Sequence, residues 1–176
     1  MGKTEIRICG LGGQGVVLAG QILGKAAAYD GKNVVQTQSY GAEARGSAAK
    51  SEVIISEGKI GFPFVRKCDI LIAMSKEAVE KNIVDLKENG ILIIDSSIVK
   101  EIPQTNAKII RVPATEIAEK LFKAKIYANM IMLGALIGAT SIVSEHVVEK
   151  AIEDSIKKED AETNKQAYRR GKDFLK

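Results

Sequence analysis

Residues 5–20 read Glu-Ile-Arg-Ile-Cys-Gly-Leu-Gly-Gly-Gln-Gly-Val-Val-Leu-Ala-Gly, and this stretch decides the fold. A strand-like run with Ile at alternate positions, residues 5–9, passes directly into Gly10-Leu11-Gly12-Gly13-Gln14-Gly15, which opens a helical pattern over residues 16–29. Strand, glycine loop and helix in succession are the setting in which a G-x-G-x-x-G spacing has a mechanism. The glycines allow a tight turn and close backbone approach, while the unpaired N–H groups and dipole of the helix start can hold a phosphate or pyrophosphate. The alternative is that the glycines only let strand and helix pack closely.

Working outward, further strand-like runs rich in Ile and Val lie at residues 34–37, 52–56, 69–73, 91–95 and 108–112. Most are continuous apolar runs, the pattern of strands covered on both faces. Helical patterns fall at 76–87 and 115–122, then at 128–142, 145–157 and 160–174. The expected fold is a three-layer α/β, Rossmann-like and mostly parallel sheet with helices on both faces and a helical C-terminal third. Ser75 and Ser144 are placed to cap helices, and Asn89-Gly90 to end the helix that Ser75 begins. No repeat or Pro- or Ser-rich linker interrupts the pattern, so residues 1–176 are expected to form a single domain.

The composition is that of a folded globular chain: 176 residues, 45% hydrophobic and 27% charged. The net charge of +4, with acids and bases interspersed, is too mild to imply nucleic acid. The start of the chain lacks a basic, then long apolar, secretory leader, and the apolar stretch 130–143 is too short to cross a bilayer. A cytoplasmic protein with no membrane contact is expected, with 130–143 as a buried helix. Only Cys9 and Cys68 are present, without a C-x-x-C pair, which argues against a disulfide framework, a thiolate-held zinc or an iron–sulfur site. No metal ligand set is expected on this chain. After Glu149 acids and bases alternate at helical spacing, as on a solvated helix face.

A dinucleotide reading of the glycine loop needs a carboxylate at the end of the second strand to take the ribose hydroxyls. That end reads Val35-Gln36-Thr37-Gln38, with no acid and no adjoining Arg for a 2′-phosphate, so a nicotinamide cofactor is disfavoured. The next segment, Ser39-Tyr40-Gly41-Ala42-Glu43-Ala44-Arg45-Gly46-Ser47, gathers a phenol, a carboxylate and a guanidinium between glycines. Loops after parallel strands collect at the carboxyl edge of the sheet, so it is expected near the first glycine loop. There Arg45 could clamp a phosphate or a partner's carboxylate, oriented by Glu43; alternatively the two pair internally and stiffen a surface loop. His146, the only histidine, is expected on the surface, which leaves nothing on which to build a Ser-His-Asp or Cys-His arrangement. Cys9 reads as a small buried strand residue, with a helix-start nucleophile as the alternative. Asp95-Ser96-Ser97 either lines the cleft or caps the segment after it, and Asn129 reads as a cap.

Residues 10–20, Gly-Leu-Gly-Gly-Gln-Gly-Val-Val-Leu-Ala-Gly, and 39–46, Ser-Tyr-Gly-Ala-Glu-Ala-Arg-Gly, together resemble the gamma subunit of the 2-oxoacid:ferredoxin oxidoreductases. The resemblance continues through 52–56, 69–74 and 129–136 and fades after about residue 145. Within the family the chain looks most like the 2-oxoglutarate enzyme, with the pyruvate, 2-ketoisovalerate and indolepyruvate enzymes as near relatives. This implies an assembly that decarboxylates a 2-oxoacid on thiamine diphosphate, passes electrons through iron–sulfur clusters to ferredoxin and releases an acyl-CoA. It implies that thiamine diphosphate, Mg and the clusters belong to alpha and beta subunits, and a delta subunit where the enzyme has one. This chain then binds no cofactor tightly and carries no catalytic residue. The positions that match the family and would contact coenzyme A or a partner are Gly12, Gly13, Gln14, Gly15, Tyr40, Glu43 and Arg45. Ser47-Ala48 departs from the pattern, since many relatives carry a further glycine there, and this bears on the fine geometry of the second loop.

Two other readings stay open at this level. The same glycine loop fits a free-standing oxidoreductase that binds a flavin or another nucleotide. A small-ligand sensor or interaction module without redox ties is the third.

Overall fold

The computed structural model describes residues 2–41 and 47–176. Six strands form one sheet: β1 (Lys3–Leu11), β2 (Asn33–Tyr40), β3 (Ala48–Ser56), β4 (Cys68–Ala73), β5 (Leu86–Asp95) and β6 (Lys108–Val112). Their order across the sheet is β2-β3-β1-β4-β5-β6. The β1/β4, β4/β5 and β5/β6 pairs are parallel, while β3 runs antiparallel to both β1 and β2. All strands except β3 therefore point the same way, and the mostly parallel Rossmann-like expectation holds with one antiparallel insertion. That insertion matters for function, because it separates the second strand from the glycine loop at the end of the first.

Side-chain alternation sorts each strand onto two apolar faces. Ile6, Ile8, Val53, Ile55, Ile70, Ile72 and Ile93 face one cluster, and Cys9, Ile54, Leu71, Ala73, Leu92 and Ile94 face the other. The first cluster lies under α1 (Val16–Tyr29), α3 (Ala114–Phe122), α4 (Ala128–Thr140), α5 (Glu145–Ser155) and α6 (Lys158–Asp173). The second is covered by α2 (Lys76–Asn82) together with Val65 and Val99. The strands read as continuous apolar runs for this reason: both faces are covered. Helix α4 is apolar all round because α1, α3, α6 and the sheet enclose it. The charges after Glu149 do more than meet water, since Arg169 grips Glu149 at 2.6 and 2.9 Å and Lys172 reaches Glu145 at 2.8 Å, tying α6 to α5. Among the described residues no helix is long and apolar enough to cross a membrane.

Two local expectations are corrected. The helix expected over 76–87 stops at Asn82, continues as a 3₁₀ turn at Ile83–Asp85 and gives way to β5, so that Asn89-Gly90 lies inside a strand with Asn89 at φ 64°. The cause is a buried cation in the sheet. Arg7 on β1 is 3% exposed, and its guanidinium donates to Asp85 at 2.7 Å, to Asn82 at 3.2 Å, to Glu52 on β3 at 3.1 Å and to the Val65 carbonyl at 3.2 Å. These bonds draw the end of the helix onto the sheet. Lys87 is taken beyond it by Asp69 at 2.9 Å and Glu5 at 3.1 Å. The second correction concerns Ser144, whose side chain caps nothing. Its hydroxyl and N–H both donate to Asp30 at the end of α1, at 2.8 and 3.0 Å, which turns the side chain toward that carboxylate and away from the first turn of α5. Ser75 caps α2 as expected, accepting the Ala78 N–H at 3.1 Å.

Burial works against the charge of Arg7, but the Asp85 hydrogen bond and the Glu52 charge more than compensate and hold its pKa above the ordinary value. Removing one side of such a buried network leaves the other unpaired, at a cost of about 3 kcal/mol. Arg7→Ala is expected to lower the urea midpoint accordingly, and Arg7→Met with Glu52→Leu to recover part of the loss. Equilibrium unfolding of the variants checks both.

Candidate functional site

The carboxyl edge of the sheet carries three depressions that meet at Leu11, the last residue of β1. Their shared wall is the glycine loop. Gly15 takes φ 75° and precedes α1 without a capping side chain, and a Cβ there would lie 2.3 Å from the Asn129 side-chain nitrogen. A Cβ on Gly10 would meet the Gln14 side-chain oxygen at 2.4 Å. Both positions therefore need glycine: one for a left-handed backbone and a close neighbour, the other for a folded-back side chain.

Gln14 holds the loop shut. Its Oε1 accepts the Leu11 N–H at 2.7 Å, its Nε2 donates to the Met74 carbonyl at 3.0 Å, and its own N–H returns to the Leu11 carbonyl at 3.2 Å. Asn129, 2% exposed, braces the loop from α4 by donating to the Gly15 carbonyl at 3.2 Å while its Oδ1 accepts the Met130 N–H at 2.7 Å. The third brace is Ser47, whose carbonyl accepts the Gly12 N–H at 2.7 Å. The N–H groups of Gly13, Gly15, Val16, Val17 and Leu18 have no acceptor among the described residues. A rigid loop thus presents, at the positive end of α1, a row of amides without an acceptor among the described residues, the arrangement that suits an anion.

Gly12, Gly13, Gly15 and Tyr40 come together around a depression of about 280 Å³ at the start of α1, with Tyr40 62% exposed at the end of β2. Gln14 stands on the other side of the loop and lines a cleft of about 630 Å³ that runs to the first turn of α3. Glu43 and Arg45 lie outside the described residues. The expectation that the segment after β2 approaches the glycine loop holds for its described ends, through the Gly12–Ser47 bond and the Gly41 N–H bonded to the Ala48 carbonyl at 2.7 Å. It does so because β3 returns along β1 and brings Ala48 opposite Leu11.

The large cleft was legible in part. Ser97 lines it, whereas Asp95 does not: fully buried, Asp95 accepts from the Ser97 and Thr115 N–H groups and from the Thr115 hydroxyl at 2.5 Å, and so caps α3. Lys100 and Lys125 supply positive charge to the rim, opposed by Glu116 and Glu119. Sequence pattern gave no sign of these, since isolated charges in loops and on helix faces look alike. Ile98 and Ile126, 41% and 47% exposed, give the same cleft an apolar lip.

A match to the family model described as "Pyruvate ferredoxin/flavodoxin oxidoreductase" spans residues 5–174. The chain belongs to that family. The 2-oxoglutarate synthase subunit KorC of Methanocaldococcus jannaschii is 48% identical over 177 residues, 99% of this chain and 95% of that one. The crystal structure of a keto/oxoacid ferredoxin oxidoreductase gamma subunit from Geobacter sulfurreducens superposes with a TM-score of 0.85 at 43% identity, over 96% of this chain and 95% of that one. A 2-oxoglutarate:ferredoxin oxidoreductase from Magnetococcus marinus, solved with 2-oxoglutarate, coenzyme A and succinyl-CoA bound, matches with a TM-score of 0.86 at 26% identity. There the likeness covers 98% of this chain but 31% of that longer one. The gamma-subunit resemblance read from residues 10–20 and 39–46 is borne out.

The donor set of this family member does not fit the redox groups of such an enzyme. An iron–sulfur cluster is held by about four thiolates, and the chain has two cysteines, both buried in the sheet. Burial pushes the Cys9 thiol up to about 12 and the Cys68 thiol to about 11, so both stay protonated through the neutral range. Cys9 donates to the Ile72 carbonyl at 3.4 Å, the position of a structural residue beside the loop. His146 is exposed on the first turn of α5, as expected. Iodoacetamide at pH 8 is expected to label neither cysteine in the folded chain and both in urea. Intact mass spectrometry reads the result, and rapid native labelling of Cys9 would restore the thiolate reading.

Proposed function

We propose that this chain is the gamma subunit of a 2-oxoglutarate:ferredoxin oxidoreductase, which converts 2-oxoglutarate, coenzyme A and oxidised ferredoxin to succinyl-CoA, CO2 and reduced ferredoxin. The observation that carries the reading is the 48% identity to a 2-oxoglutarate synthase subunit over nearly the whole of both chains. Thiamine diphosphate, its magnesium ion and the clusters sit on the alpha and beta subunits, and a delta subunit where present, with ferredoxin as acceptor of the cytoplasmic complex. Two buried, protonated cysteines on this chain agree with that division.

Its own residues act by binding and positioning. The free amides of Gly13, Gly15 and the first turn of α1 receive a phosphate oxygen of coenzyme A, aided by the helix dipole. Gln14, Asn129 and Ser47 keep those amides aligned, so little ordering remains to be done when the ligand arrives. Tyr40 flanks the ligand, and Arg45, oriented by Glu43, adds a charge-assisted bond to the same anion or to a partner carboxylate. Gly12, whose N–H is already engaged, contributes close backbone approach instead of a donor. The coenzyme A bound in the Magnetococcus enzyme supports this choice of anion.

Recovery of the tagged chain from its native cytosol tests the reading: thiamine- and cluster-bearing chains are expected to co-purify and to reduce viologen with 2-oxoglutarate in preference to pyruvate or 2-ketoisovalerate. A fully active complex without this chain would end the proposal. In the assembled enzyme Arg45→Ala is expected to raise KM for coenzyme A about tenfold or more, the size of one lost charge-assisted bond. Steady-state kinetics with coenzyme A varied measures it, and unchanged kinetics and assembly would remove the second loop from the site.

A further inference from the structure

At the opposite edge of the sheet, residues 57–67 lead from β3 into β4 and place two aromatic rings in water: Phe62 is 44% exposed and Phe64 57%. The rings meet edge to face, 5.6 Å between centroids, and the Arg66 guanidinium lies 4.6 Å over the Phe62 face. Between Phe64 and Arg66, Val65 is 6% exposed and anchors the segment in the second core cluster, with its carbonyl held by Arg7 at 3.2 Å. Lys67 fastens the next turn by donating to the Val84 carbonyl at 2.5 Å, and Val84 is itself 68% exposed. An exposed apolar surface pinned in one conformation is the kind of patch that marks an interaction site.

We propose that residues 61–67 form a docking knuckle for another subunit of the same oxidoreductase, one that presents an apolar pocket with an acidic rim. The proposal rests on the subunit reading above. Aromatic side chains with an adjacent arginine are the composition that dominates binding energy at protein interfaces, and a preorganised segment loses little entropy on docking. Charge selects the partner. Residues 57–67 hold Lys59, Arg66 and Lys67 against Glu57; the nearby Asp85 carboxylate is shared between Arg7 at 2.7 Å and Lys67 at 3.9 Å, which leaves Lys59 and Arg66 as the outward charges. A second copy of this chain would set the same basic segment against itself in a two-fold contact, which opposes like charges. An acidic surface on a different subunit does not. In the Magnetococcus relative this fold is 31% of a longer chain, so there it is joined to further protein of the same enzyme. Docking at this edge leaves the glycine loop and its clefts, at the carboxyl edge, free for ligand.

The test uses the partner subunits recovered with the wild-type chain. Phe64→Asp and Arg66→Glu are each expected to weaken binding of the chain to the partner subcomplex about tenfold or more, measured by biolayer interferometry. The Arg66→Glu effect should shrink at high salt, as a rim charge requires. Thermal melts of the isolated variants should match wild type, and Arg66→Glu alone decides if Phe64→Asp melts early. Unchanged affinity in the deciding variant overturns the proposal. So does a wild-type chain that sediments as a dimer and becomes monomeric with Phe64→Asp. A wild-type complex that assembles but turns over no 2-oxoacid would overturn the functional reading while the affinities still judge the knuckle. A chain that captures no partner overturns both.

Discussion

The buried guanidinium of Arg7 is the constraint on which the rest of the sheet's arrangement hangs. A cation in the middle of β1, 3% exposed, is tolerated only with its donors satisfied. The groups that satisfy it come from β3, from the segment that leads into β4 and from the turn after α2. That one requirement fixes β3 beside β1, stops α2 at Asn82 and pins Val65. Because β3 is beside β1, its first residues return to the glycine loop, and Ser47 takes the Gly12 N–H. A polar demand near the centre of the sheet thereby sets the geometry at both of its edges.

The antiparallel β3 also sets this glycine loop apart from the usual nicotinamide site. In a doubly wound dinucleotide fold the second strand lies next to the first, and its terminal acid reaches the ribose. Here β2 lies one strand farther out, and the position beside the loop belongs to Ser47–Ala49. An acid at Gln38 would stand on an edge strand, beyond β3. The absence of that acid from the sequence and the insertion of a strand are two sides of one difference.

The broad fold was legible because it rests on local pattern. Short runs such as Ile91–Ile94 are apolar on successive residues, as a strand covered on both faces requires. The glycine loop was legible for a similar reason: its residues, their order and their place between strand and helix are all adjacent in sequence. What stayed hidden came from long-range contacts. Arg7 drew no reading from the sequence, because nothing near it announces Asp85, seventy-eight positions away. Gln14 read as a ligand candidate although its amide is spent on Leu11 and Met74. Asp95 left two readings open, and only the position of Thr115 decided for the cap. In each case the residue type was right for polar work, and the partner was what the sequence withheld.

The proposed role for the glycine loop, receiving an anion through backbone amides, is coherent if the task of the chain is to complete a site instead of running one. The amides at the start of α1 require no proton transfer and no change of charge, so they work over any pH at which the fold survives. Their value depends on alignment, and alignment is what Gln14, Asn129 and Ser47 provide from three different elements. The same logic accounts for Cys9. A thiol this close to the loop would be a liability beside a thioester-forming ligand if it ionised, and burial keeps it protonated. On the proposed function, chemistry that needs thiolates, metal and an activated ring is separated from a surface whose requirement is to be rigid and correctly charged.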